Sequence, residues 1–93
     1  MKFSTKESDY EIEGLDKRNQ TKYAGIENPQ HKFEITKTKA RDPKSRVFVG
    51  AGESMMGEGA SITGDEVKTT GNRIELYDRK KLRFRSEEIT SFI

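Results

Sequence analysis

Val67-Lys68-Thr69-Thr70-Gly71-Asn72-Arg73-Ile74-Glu75-Leu76-Tyr77-Asp78-Arg79-Lys80-Lys81-Leu82-Arg83-Phe84 is the stretch that decides the fold class. Gly71-Asn72 stands between two strand-like segments and has the chemistry of a two-residue hairpin loop. Closing the chain there sets Thr70 opposite Arg73, Thr69 opposite Ile74, Lys68 opposite Glu75 and Val67 opposite Leu76. Opposed residues of an antiparallel pair share a face. One face is therefore apolar, and the other carries the Lys68–Glu75 charge pair.

The next connection has to preserve that division. A two-residue loop at Arg79-Lys80 sets Leu76 against Arg83 and throws the apolar sets onto opposite faces. A three-residue loop, Asp78-Arg79-Lys80, sets Tyr77 against Lys81, Leu76 against Leu82, Glu75 against Arg83 and Ile74 against Phe84. Parity thus predicts a three-stranded meander over residues 65–86, closed by an odd-length loop or by a bulge with the same effect.

Downstream, Ile89, Phe92 and Ile93 have helical spacing, and Ser86 with Glu87 and Glu88 suits a helix start. Ile89, Ser91 and Ile93 also alternate as a strand would. The expectation is one or two helical turns. Upstream, Asp42-Pro43-Lys44-Ser45 has the residues of a type I turn. It is predicted to fold His31 to Ala40 back onto Arg46 to Val49, with Val47 and Val49 beside Ala40 and Thr38, and Phe48 beside the stem of Lys39. Residues 1–30 are weakly patterned. Tyr10 to Glu13 and Lys22 to Ile26 read as short strands, with a turn from Gly14 to Arg18. The predicted fold class is mainly β. It is a small antiparallel sheet of about five strands rolled into a barrel or sandwich, with the C-terminal helical turns added to it.

Residues 1–93 are the size of one domain. Leu, Ile, Val and Phe number 18 among the 93 residues, close to the composition of disordered chains, but the net charge is only +2. Such a core is near the lower limit for folding alone, so association with a partner or a second copy is expected. There is no cysteine and a single histidine, His31, which leaves no disulfide framework, thiolate site or histidine cluster. Met1 to Glu7 has no apolar signal-peptide core, and no run has the length of a membrane span. The expected location is cytoplasmic, which also accommodates a virus-encoded protein inside its host.

Two features carry functional expectations. Residues 50–64 hold five glycines in fifteen positions. Glycine-rich loops cradle phosphates through close backbone approach, but Glu53 and Glu58 put negative charge here and no Lys-Ser/Thr pair follows. The segment reads instead as a mobile hairpin or loop. Met55 and Met56 give it adaptable apolar surface, so Met55, Met56, Glu53 and Glu58 are the candidate partner-binding residues. The second feature is the basic cluster Arg79, Lys80, Lys81, Arg83 and Arg85. Together with Lys37, Lys39, Arg41, Lys44 and Arg46 it could track phosphates, with Tyr77 stacking on a base. Against this, the predicted register seats Glu75 between Lys68 and Arg83, the alternation of an ordinary solvated face. The pairs Glu11/Glu13 and Glu87/Glu88 lack a partner base or nucleophile and read as surface charge. No catalytic residue, metal or cofactor is expected. The function expected is a non-enzymatic protein-interaction or structural module, acting through self-association or a protein partner such as a viral component or a small inhibitor would have. The alternative is a nucleic-acid-binding β domain using strands 37–46 and 79–85.

Overall fold

The computed structural model describes residues 1–14 and 33–93. Gly71 takes φ 58°, a left-handed conformation open to glycine at the first loop position. Around it β7 (Glu66–Thr70) and β8 (Arg73–Asp78) pair as parity requires, Thr70 with Arg73, Lys68 with Glu75 and Val67 with Leu76. β9 (Lys81–Arg85) completes the meander, but not through a three-residue loop. Asp78 faces Lys81 and Tyr77 faces Leu82 across a two-residue loop, and both Arg79 (φ 53°) and Lys80 (φ 67°) are left-handed. That conformation matches the twist of a hairpin, and nothing in an Arg-Lys pair announces it. A bulge between Leu76 and Tyr77 then absorbs Arg83, so that Leu76 faces Phe84 and Glu75 faces Arg85. The bulge keeps Phe84 with Leu76 on the apolar face, but the predicted register does not hold. Lys81 and Leu82 each lie one place from the predicted partner, Leu82 facing Tyr77 instead of Leu76, Phe84 lies two places from Ile74, and Arg83 faces no residue of β8.

β4 (Arg46–Val49) lies against β9, with Val49 opposite Phe84, and turns at Gly50-Ala51 into β5 (Gly52–Met55). This sheet runs β5-β4-β9-β8-β7. The other runs β10-β1-β2-β3-β6, from β1 (Lys2–Thr5), β2 (Ser8–Gly14), β3 (Phe33–Ala40), β6 (Ser61–Gly64) and β10 (Ile89–Phe92). Two antiparallel five-stranded sheets face one another, so the barrel-or-sandwich class holds, with ten strands among the described residues rather than about five.

Three expectations change. The turn after β3 forms, with the Ser45 amide bonded to the Asp42 carbonyl at 3.1 Å, but it does not make a hairpin. It carries the chain from one sheet to the other, because the apolar faces of β3 and β4 are better buried facing each other than side by side. The C-terminal segment is strand, not helix: β10 pairs with β1, Phe92 opposite Phe3 and Ile89 opposite Thr5, with a bulge between. That bulge puts Ile89 and Phe92, three residues apart, on one face, which is the spacing that resembles a helix. The glycine-rich segment 50–64 contains β5 and β6, and between them Lys37 exchanges backbone bonds with Gly59 (2.7 Å) and Ala60 (3.0 Å). The expected strand at Lys22 to Ile26, the turn at Gly14 to Arg18 apart from Gly14 itself, which ends β2, and His31 lie outside the described residues.

The core is shared by both sheets. Phe3, Tyr10, Ile12 and Ile35 come from one, Val47, Ile74, Leu76 and Phe84 from the other, and Met56 from the loop after β5. Phe3 stacks on Tyr10 at 4.9 Å, and Tyr10 meets Phe84 edge-on at 5.4 Å, which joins the layers by aromatic contact. β6 closes on β8 through Gly64: a Cβ there would lie 2.6 Å from the Tyr77 carbonyl oxygen.

Candidate functional site

The polar residues between the sheets form the most organised constellation in the molecule. On β3, Phe33, Ile35 and Lys37 alternate, so Lys37 shares the inward face of Ile35 and is fully buried. On β2 the same alternation sends Ser8, Tyr10 and Ile12 inward, and Thr5 follows Phe3 on β1. Facing them is Glu87, in the short crossover from β9 to β10. It is 7% exposed, not the surface charge that its place beside Glu88 suggests.

Each Glu87 carboxylate oxygen accepts two bonds. Oε1 takes the Tyr10 hydroxyl at 2.6 Å and the Thr5 hydroxyl at 3.4 Å. Oε2 takes the Ser45 hydroxyl at 2.8 Å and the Ser8 hydroxyl at 3.1 Å. Burial pushes the Glu87 carboxyl up, but these bonds and the positive charge of Lys37 more than offset it and hold the group below the usual carboxylate range. The Tyr10 phenol is pushed far above its ordinary value by burial and by its bond to Glu87. Lys37 Nζ lies 5.7 Å from the centre of the Tyr10 ring and makes no hydrogen bond among the described residues. The arrangement is a buried cation and anion balanced across an aromatic ring. The Glu87 carboxylate is saturated by four hydroxyls, and the bonds join Thr5 of β1, Ser8 and Tyr10 of β2, and Ser45 to the crossover.

A second cluster organises the outer face of the meander. Glu75, 4% exposed, accepts bonds from Thr70 (2.7 Å), Tyr77 (3.1 Å) and Arg85 (2.9 Å), which hold its carboxyl below the ordinary range. Lys68 lies over the Tyr77 ring at 4.8 Å. Two of the residues expected to meet nucleic acid are therefore engaged within the protein: Arg85 with Glu75, and Tyr77 between Glu75 and Lys68. Of the others, Lys80 and Lys81 are exposed, Arg83 is half-buried at the bulge, and Arg79 is exposed in the loop. Lys37 is buried, and Arg41 is drawn onto the β1–β2 turn, donating to the carbonyls of Thr5 and Ser8 and to Asp9 at 2.7 Å. The strands 37–46 and 79–85 do not form one basic ribbon, because β3 and β9 belong to different sheets.

The glycine-rich segment divides as well. Met55 is 60% exposed, whereas Met56 is 4% exposed and part of the core, so only one methionine of the pair offers surface. Glu53 is exposed on β5, and Glu58 accepts the Ala40 amide at 3.0 Å.

Apolar surface missed by the sequence reading lies at β10. Phe92 is on the inward face, 6.3 Å from Phe3 between ring centres, yet 56% exposed, because the opposite sheet does not reach the edge of this one. Among the described residues four strands stand at sheet edges, and they differ in how the outer side is guarded. β7 carries Glu66 and Lys68, and β5 carries Glu53, whose carbonyl is covered by Arg46 at 3.1 Å. β6 is closed onto β8 at Gly64. β10, Ile89-Thr90-Ser91-Phe92, has no charge, the usual device against edge pairing. Alternating hydrophobic spacing read across a bulge is the signal that would have revealed it. Among the described residues no cluster of three or more His, Asp or Glu is placed to hold a metal ion. Comparison with protein families, with curated proteins and with solved structures finds no match to this chain.

Proposed function

We propose that this chain is a non-enzymatic interaction module, binding protein through the open edge of the β10–β1 side of its sandwich. The observation that carries this reading is Phe92. It is a large aromatic, more than half exposed, on an uncharged edge strand opposite the fully buried Phe3 of β1. Exposed aromatics of this kind anchor protein interfaces, and a free strand edge offers main-chain bonds to an extended partner. Met55, on the edge of the other sheet, is a second apolar contact. The buried charges support the reading from the other side: Glu87 and Lys37 are committed to holding the sheets together.

The experiment compares three forms of the protein as bait in native lysate. Phe92→Lys keeps the core and adds a charge to the edge. Lys80→Glu/Lys81→Glu reverses the exposed basic turn and leaves the edge alone. The reading requires that a protein retained by the wild type is lost with Phe92→Lys and kept with the double variant. Retention that depends on Lys80 and Lys81, falls steeply with salt and disappears with nuclease would transfer the function to nucleic acid.

A further inference from the structure

Glu87 has a consequence beyond stability, and it follows from where the other fastenings of its segment go. Ser86, Glu87 and Glu88 carry the chain from β9 to β10. The Ser86 amide bonds to the Ile74 carbonyl at 2.9 Å, and the Ile74 amide bonds back to the Ser86 hydroxyl at 3.0 Å. Arg73 donates to the Ser86 carbonyl at 2.9 Å and pairs with Glu88 at 3.8 Å. The Ile89 amide bonds to the Asn72 carbonyl at 2.6 Å. All of these lead to β8 or its turn, in the β7-containing sheet. Glu87 is the crossover residue whose side chain reaches the other sheet, where it gathers Thr5 of β1 and Ser8 and Tyr10 of β2, and it also takes Ser45 from the β3–β4 connection.

β10 itself holds β1 weakly. It is four residues long, its ladder is broken by the bulge opposite Ser4 and Thr5, and Phe92 is only half covered. We propose that the charge of Glu87 is a latch on the C-terminal strand: removing it frees β10 from β1 while the β8-containing sheet stays folded.

The physical reason is electrostatic as well as steric. The groups that face Glu87 are the hydroxyls of Thr5, Ser8 and Ser45, the Tyr10 phenol, and the positive charge of Lys37 from β3. Behind them Arg41 grips the carbonyls of Thr5 and Ser8, and the Glu7 carboxylate acts on Tyr10. Neutral Glu87 leaves Lys37 buried without a balancing charge, and an uncompensated buried charge is strongly destabilising. Admitting water to Lys37 requires the Glu87 side chain and its crossover to lift from the face of the sheet, and β10 continues from that crossover at the far edge of the same sheet. Besides its broken ladder, β10 is held to β1 by the Thr90 hydroxyl on the Ser4 carbonyl at 3.2 Å and the Ile93 amide on the Lys2 carbonyl at 3.0 Å. The uncovered surface is the edge of β1 and the face of Phe3. The latch stands whether or not the β10 edge binds protein.

The test is residue-resolved amide exchange on the full chain at neutral pH, for the wild type, Glu87→Gln, and Glu87→Gln/Lys37→Met. In Glu87→Gln the Ser91 and Ile93 amides, which face β1, should exchange on the order of a hundredfold faster, and the β8 amides should keep their protection. Adding Lys37→Met should restore most of the lost protection, because a buried pair replaced on both sides leaves no orphaned charge. Equal acceleration in β8 and β10, unchanged Ser91 and Ile93, or no recovery on adding Lys37→Met would each overturn the latch. If Glu87→Gln does not fold, acidifying the wild type supplies the same comparison. After correction for intrinsic rates, β10 protection should disappear at a higher pH than β8 protection, and simultaneous loss would overturn the proposal.

Discussion

Replacing Gly64 with alanine probes the corner where the two sheets meet at β6. The added Cβ would lie 2.6 Å from the Tyr77 carbonyl oxygen, 2.7 Å from Leu76 Cγ and 2.9 Å from Leu76 Cδ1, where ordinary contact begins at 3.4 Å. Leu76 is fully buried and cannot swing aside. Relief therefore means moving β6 outward by about 0.8 Å, which stretches the 2.8 Å bond from the Asp65 amide to the Tyr77 carbonyl beyond hydrogen-bond range. Overpacking costs about 1–3 kcal/mol and the lost bond about 1 kcal/mol. The stiffer unfolded chain returns about 0.4–1 kcal/mol. The net loss is about 1–3.6 kcal/mol, a fall in Tm of roughly 4–29 °C for a domain of this size. Urea titration followed by far-ultraviolet circular dichroism reads it directly, with the midpoint lowered and the slope unchanged. Gly57→Ala is the matched control: nothing lies within 4 Å of its Cβ and its φ is not positive. It should be neutral or slightly stabilising. A Gly64→Ala protein within about 0.5 kcal/mol of the wild type would refute the close approach of β6 and β8.

Other consequences follow from the two carboxylate clusters and the basic turn. Glu75→Ala should lower stability by about 1 kcal/mol in urea titration, because it removes the shared acceptor of Thr70, Tyr77 and Arg85 while water can reach the exposed Thr70 and Arg85. Asp9 (through Ser4 and Arg41), Glu75 and Glu87 are all held below their ordinary carboxylate values. Their contribution is therefore complete above the ordinary carboxylate range and is lost as pH falls through the depressed values. Urea midpoints should be flat at neutral pH and fall only in acid. At the other extreme, the raised values of Tyr10 and Tyr77 favour the protonated form in the fold, so stability should fall once pH passes the ordinary value of 10.0. Spectrophotometric titration should find Tyr10 ionising only with unfolding. Lys80→Glu/Lys81→Glu should leave the urea midpoint within about 0.5 kcal/mol of the wild type, since both side chains are exposed.

Local chemistry made some of this fold legible. Gly71-Asn72 dictates its own turn, and once Val67 faces Leu76 the face of every residue in β7 and β8 follows. Parity also placed Phe84 on the apolar face, but not how it gets there. Two left-handed basic residues and a bulge replace the longer loop, and both depend on packing that Arg79-Lys80 does not encode. The C-terminal segment misleads for the same reason, since a bulge gives a strand the three-residue spacing of a helix. The turn at Asp42 was readable, but whether it folds β3 onto β4 or sends the chain to the opposite layer is decided by distant strands. The buried centre is not read from the sequence: Lys37, two places after Ile35, shares its face by alternation, yet its charge puts it among the residues of a basic surface. Glu87, next to Glu88, has no local mark of burial, because its partners sit 42 to 82 residues away in sequence. Of the expected contact residues, Met55 reaches the surface and Met56 does not, a distinction that depends on how the chain leaves β5.

The proposed protein contact at the β10 edge is read by photo-crosslinking in native lysate from a benzophenone-bearing residue at position 92, with position 81 on the basic turn as the comparison. The expected result is a protein adduct from position 92 that survives nuclease and high salt, with little from position 81. Adducts confined to position 81 and removed by nuclease, with none from position 92, would contradict the account.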